Sequence, residues 1–152
     1  MADVLTSAAA RLSEDGNALW APQEVSEAAV KEHVRAGMYY VALDDQNPVA
    51  VFRFQLEDRL FWPEAPDGSS AFIHKIAVYP HKQGRNLAQT LLGYACELTR
   101  LHGRRFLRLD CAAGRPKLRA VYEQFGFRHH SEKIFGDRVF HRFEFKVGSA
   151  DA

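Results

Sequence analysis

Residues 76–92 read Ile76-Ala77-Val78-Tyr79-Pro80-His81-Lys82-Gln83-Gly84-Arg85-Asn86-Leu87-Ala88-Gln89-Thr90-Leu91-Leu92. An apolar run ends at a proline, a short loop carries glycine and basic residues, and a helical period then begins. Leu87, Leu91, Ala95 and Leu98 fall on one stripe, and Gly103 follows the expected end of a helix over 86–102. A strand, a tight loop and a helix in that order aim the unpaired N–H groups of the helix N-terminus past the end of the strand. Gly84 lets backbone approach closely, and such a terminus suits an anion as large as a pyrophosphate. Ordinary strand-to-helix turns share this pattern, and for the segment taken alone that is the favoured reading.

The flanks supply the context. Downstream, residues 106–111 form a short strand, and Pro116 suits the first turn of a second helix. Leu118, Val121, Tyr122 and Phe125 make its inward stripe and Gly126 closes it. Residues 127–147 read as a hairpin turning at Gly136-Asp137, with Val139, His141, Phe143 and Phe145 alternating against Arg142, Glu144 and Lys146. Upstream, a strand over 72–79 follows a loop over 58–70 rich in Pro, Gly and Ser. Strands over 38–43 and 49–57 are joined by a turn at 44–48. Helical periods over 4–12 and 25–36 open the chain. The order ααβββαβαββ predicts a mixed α/β fold and not the strict alternation of a dinucleotide-binding domain.

Composition bounds the function. At 152 residues the chain is expected to form a single domain, 1–152. Twenty Lys and Arg against 19 Asp and Glu give +1, which argues against a nucleic-acid or membrane partner. No apolar run approaches the roughly 20 residues that span a bilayer, and no signal peptide is legible in the first residues. Cys96 and Cys111 cannot build a disulfide framework. These bounds point to a soluble, cytoplasmic chain.

At Gln83-Gly84-Arg85-Asn86-Leu87-Ala88 and at Leu118 to Phe127, with Tyr122-Glu123-Gln124-Phe125-Gly126-Phe127 at its end, the sequence resembles the GNAT superfamily of N-acetyltransferases. The first segment lines up with that family's Q/R-x-x-G-x-G/A acetyl-CoA motif, and the second with its N-x-x-L-x-x-x-Y-E-x-x-G-F segment. Two motifs at the expected distance are far more specific than either alone. Asn86 stands where the family usually has a second Gly, and Asn tolerates left-handed backbone. Arg115 replaces the Asn that usually opens the second segment, and its guanidinium could pair with a phosphate instead.

The resemblance implies the GNAT acyl-CoA N-acyltransferase fold, a twisted, mostly antiparallel sheet with helices on both faces. It implies acetyl-CoA as cosubstrate, no metal, and direct transfer of acetyl to a primary amine of a small molecule or peptide in a ternary complex. A non-catalytic CoA-binding module of the same fold is the alternative. The backbone of Ile76, Ala77 and Val78 would pair with the pantetheine arm, and one N–H would polarise the acetyl carbonyl. The stretch Gln83, Gly84, Arg85, Asn86, Leu87, Ala88 and Gln89 would hold the pyrophosphate, and Arg115 could add a contact.

Tyr122 would donate a proton to the departing thiolate, although its place on an apolar stripe also suits a core residue. His74 is the candidate base, because it precedes the cofactor strand and titrates near neutrality; a buried structural role fits it equally. Asp110 is the second candidate, with an ion pair to Arg108 or Arg119 as the more ordinary role. Cys111 has no histidine partner in any motif and reads as a buried apolar residue. His129 and His130 point to opposite faces if the strand alternates, so with His141 they read as solvated edge residues. Trp20 and Trp62 could line an acceptor pocket or simply pack. The Phe-rich C-terminal hairpin offers an edge through which a homodimer could pair.

Overall fold

The computed structural model describes residues 38–44, 47–78 and 87–148. In chain order these form β1 (Tyr39–Asp44), β2 (Asn47–Gln55), β3 (Ser70–Val78), α1 (Leu87–Leu101), β4 (Phe106–Ala112), α2 (Pro116–Phe125), β5 (Arg128–Phe135) and β6 (Arg138–Lys146). The helices expected over 4–12 and 25–36 lie outside the described residues. The strands make one six-stranded, mostly antiparallel sheet in the order β1-β2-β3-β4-β6-β5, so the mixed α/β class is as expected. By contacts the chain groups into two compact units, Met1–Phe54 with Lys75–Leu91 and Gln55–His74 with Leu92–Ala152.

In the first unit, β1 and β2 run antiparallel from Tyr39↔Arg53 to Asp44↔Asn47. Val49, Ala50, Val51 and Phe52 are all buried. That continuous apolar run marks a strand covered on both faces, and from Phe52 onward buried Phe52 and Phe54 alternate with the partly exposed Arg53 and Gln55.

In the second unit, β3 lies parallel to β4, β4 antiparallel to β6, and β6 antiparallel to β5. Strand alternation sorts the side chains cleanly onto two faces. Leu107, Leu109 and Cys111 pair with Phe145, Phe143 and His141 on one face. There α2 lays Tyr122 against Phe143, with ring centroids 6.2 Å apart, and Phe125 against Phe145 at 5.2 Å. Phe143 has no exposed surface, and burying a side chain of that size stabilises the fold by about 1.5–3 kcal/mol. Arg108 and Asp110 pair with Glu144 and Arg142 on the other face, and the 58–69 loop lies over them.

Pro116 starts α2, and Gly126 ends it at φ +122°, its N–H reaching the carbonyls of Tyr122 and Glu123. Among the described residues, no helix is long and apolar enough to cross a membrane.

Candidate active site

The parallel register of β3 and β4 runs from Ser70↔Phe106 to Phe72↔Arg108. Two residues further along each strand stand His74 and Asp110, and these meet through side chains: His74 Nδ1 is 3.3 Å from Asp110 Oδ2. The other ring nitrogen, Nε2, is 2.8 Å from Oδ2 of Asp58 in the preceding loop. The N–H directions miss the aligned geometry of full hydrogen bonds, so both are ion-pair contacts by distance. Burial alone would push the imidazole toward its neutral form, but the carboxylates of Asp110 and Asp58 outweigh it and raise the His74 pKa. Asp58 is likewise opposed by burial, yet His74 and the backbone amides of Phe61 and Leu60 hold its carboxyl below the usual range. With the imidazole charged, one cation stands between two anions and the set carries a net negative charge.

Asp58 is the residue sequence reasoning missed. Its only local signal is turn chemistry: Oδ1 accepts from the Phe61 N–H at 2.9 Å, and its carbonyl accepts from the Trp62 N–H at 3.0 Å. The fold then fastens this loop to the sheet. Trp62, only 2% exposed, stacks with two guanidiniums, Arg108 at 4.7 Å and Arg142 at 4.6 Å from its ring centroid. Arg142 also donates to the Phe61 carbonyl and to Ser131 Oγ, each at 2.8 Å, and pairs with Glu64 at 2.5 Å. Trp62 thus packs within this loop and also lines a pocket with Asp58, Arg59 and Phe72; Trp20 lies outside the described residues.

The more ordinary reading of Asp110 is corrected. Arg108 is taken by Glu144, its direct cross-strand neighbour, at 3.1 Å. Arg119 is taken by Glu123 one turn along its own helix at 2.8 Å. Asp110 is left to His74.

Tyr122 is 3% exposed, and burial, followed by Cys111 and Asp110, raises its phenol well above the ordinary range, so it stays protonated. Cys111 is buried and its thiol is pushed up to about 11, first by burial and then by Asp110, which removes thiolate character near neutrality.

The donor atoms of Asp58, His74 and Asp110 lie within 4.8 Å of one another, a spacing an ion could bridge. However, His74 turns a different nitrogen to each carboxylate, and an imidazolium has no lone pair to give a metal. The set fits proton handling and cation attraction better than metal ligation.

Of the residues expected to hold the cofactor, Ile76, Ala77 and Val78 form the end of β3 and Leu87, Ala88 and Gln89 open the described part of α1. No acidic residue stands in that first turn, as a site for a pyrophosphate requires. Gln83, Gly84, Arg85 and Asn86 lie outside the described residues. Arg115 holds the N-cap position of α2, where its side chain makes no capping bond and its carbonyl accepts from the Arg119 N–H at 3.0 Å.

The chain is similar to a GNAT-family protein from Desulfovibrio desulfuricans, at 23% identity over 94% of this chain and 92% of that one, with a TM-score of 0.77. The Salmonella typhimurium protein yncA, solved with its cofactor acetyl-CoA, is 14% identical over 99% and 91% of the two chains, at 0.72. A spermidine N-acetyltransferase chimera of Vibrio cholerae SpeG and hSSAT is 18% identical over 80% and 75%, at 0.60. Among curated proteins none matches the sequence. Residues 6–127 match the Acetyltransferase (GNAT) family, and the chain therefore belongs to the GNAT family of acetyltransferases.

Proposed function

We propose that this protein is an N-acetyltransferase that moves acetyl from acetyl-CoA directly to a primary amine. The observation that carries the amine reading is the Asp58–His74–Asp110 set, largely shielded from solvent and net negative. Such a set attracts a cationic acceptor and can take its proton. The spermidine enzyme among the structural relatives acts on an acceptor of that class.

Bound acetyl-CoA supplies the acetyl group as an activated thioester. Asp110 is the more exposed of the two carboxylates at 13% against 4% for Asp58, and it is the group that accepts the ammonium proton. His74, charged between the two, favours the ionised form of Asp58 and orients Asp110. The freed amine attacks the thioester carbonyl carbon, a backbone N–H from the 76–78 stretch stabilising the developing oxyanion. As the carbon–sulfur bond breaks, the protonated phenol of Tyr122 gives its proton to the leaving thiolate, and the second proton of the newly acylated nitrogen restores the phenol.

The test is isothermal titration of the whole chain with acetyl-CoA, with CoA and ATP as controls, followed by an amine panel assayed for CoA release. Saturable binding of the CoA compounds and release that depends on an amine are expected. Binding with no release across polyamines, aminoglycosides, amino acids and peptide N-termini would overturn the catalytic reading in favour of a CoA-binding module.

A further inference from the structure

The strand β5 does not alternate evenly. Its pairing with β6 steps from His129↔Phe143 to Ser131↔Arg142 and then Glu132↔His141, so His130 is the extra residue of a β-bulge. In an unbroken strand His129 would share its face with Ser131 and Lys133. The bulge shifts the phase by one, and Glu132 joins His129 on the face that carries His141 and Phe143. A bulge that re-aims side chains in this way brings together three metal-ligating groups that the bare sequence separates.

The geometry suits an ion. His129 Nε2 is 3.1 Å from His141 Nδ1. Two nitrogens each about 2.0–2.1 Å from one ion lie about 2.9 Å apart at a right angle and about 3.4 Å apart at the tetrahedral angle. The ring centroids are 5.1 Å apart, less than that nitrogen separation plus both ring radii, so the two rings do not lie in line through their nitrogens. Glu132 Oε1 is 3.9 Å from His141 Nδ1 on a side chain with 55% of its surface exposed, and it must change rotamer to join both nitrogens around one ion. His129 stands edge-on to Phe143 at 5.5 Å, which fixes its ring. The neighbouring helix brings Arg119 near this face, but its charge is offset by Glu123 at 2.8 Å.

We propose that His129, Glu132 and His141 form a surface site for a divalent transition-metal ion of the zinc class. Two imidazoles and one carboxylate select zinc, nickel or copper over magnesium and calcium, which demand oxygen ligands. Exposed edges leave the remaining coordination positions to water.

The test is titration of the metal-free full chain with zinc chloride and nickel chloride, read by calorimetry and by thermal melting, with magnesium chloride as control. The proposal expects saturable zinc and nickel binding that raises the melting temperature, since an ion held by β5 and β6 binds the folded chain selectively. His129→Ala, an exposed substitution, should weaken binding by about tenfold or more, and Glu132→Gln should weaken it less. His130→Ala should leave it unchanged. His141→Gln gives an independent check on the second ligand where it folds. Absence of saturable binding, or binding that His129→Ala does not weaken, would overturn the proposal.

Discussion

Arg142 Nη1 donates to the carbonyl of Phe61 across 2.8 Å, tying β6 to a loop 81 positions earlier in the chain. That loop carries Asp58, whose carboxylate reaches His74. One buried guanidinium thus holds the backbone that carries Asp58, one of the three charged groups of the set. Arginine is suited to this because its rigid fork serves the Phe61 carbonyl, Ser131 Oγ and Glu64 at once.

Arg142→Lys keeps the charge and loses the fork. We expect a loss of about 1.5–3 kcal/mol in unfolding free energy by urea titration, in the range of charged hydrogen bonds. If acetyl transfer is the activity, turnover should fall more than acetyl-CoA affinity, because the loop and not the cofactor segment is disturbed.

His74→Phe leaves Asp58 and Asp110 without the cation between them. Removing one partner of a buried ion set costs about 3–5 kcal/mol, measured by denaturant unfolding in weakly acidic buffer. The wild-type pH profile follows from the two shifts. The raised His74 pKa contributes stability that is complete below the ordinary 6.5 and is lost as pH rises through the folded value. The lowered Asp58 pKa contributes stability present above the ordinary 3.8 and lost as pH falls through its depressed value. Stability therefore peaks between, and its alkaline decline should flatten in His74→Phe; an unchanged decline would remove His74 from that role.

Tyr122→Phe removes only the hydroxyl from a ring that packs against Phe127 and Phe143. A lost proton donor predicts turnover lower by about 10²-fold or more with acetyl-CoA affinity little changed. Equal turnover in the two proteins would make Tyr122 a core residue only.

Gly126→Ala tests the end of α2. The position has φ +122°, and an added Cβ would come within 3.0 Å of Phe145 Cε2. Strain and overpacking together predict a loss of about 1–3 kcal/mol, read as a lower midpoint in thermal or urea unfolding.

Much of this was legible in residue order. The hairpin with its turn at Gly136-Asp137, the helix from Pro116 to a glycine, and the strand ending before Pro80 all follow from local chemistry: hydrophobic period, fixed proline φ and glycine's left-handed freedom. Tyr122 and His74 were identifiable as candidates because motif and strand position are properties of the chain itself.

What local order could not state is which charges share a space. Arg108 and Arg119 were the partners expected for Asp110, and the register of β4 against β6, with the spacing of α2, assigned both elsewhere and left Asp110 to His74. Asp58 reached His74 only through a loop closed by Trp62 and Arg142. The bulge at His130 reversed which residues of β5 face His141. The sequence determined the elements and the family, since those rest on short-range periods and motifs. Tertiary structure alone decided the ion set and the histidine pair, because electrostatic and coordination partners are chosen by distance in space, and strand register and loop closure set that distance.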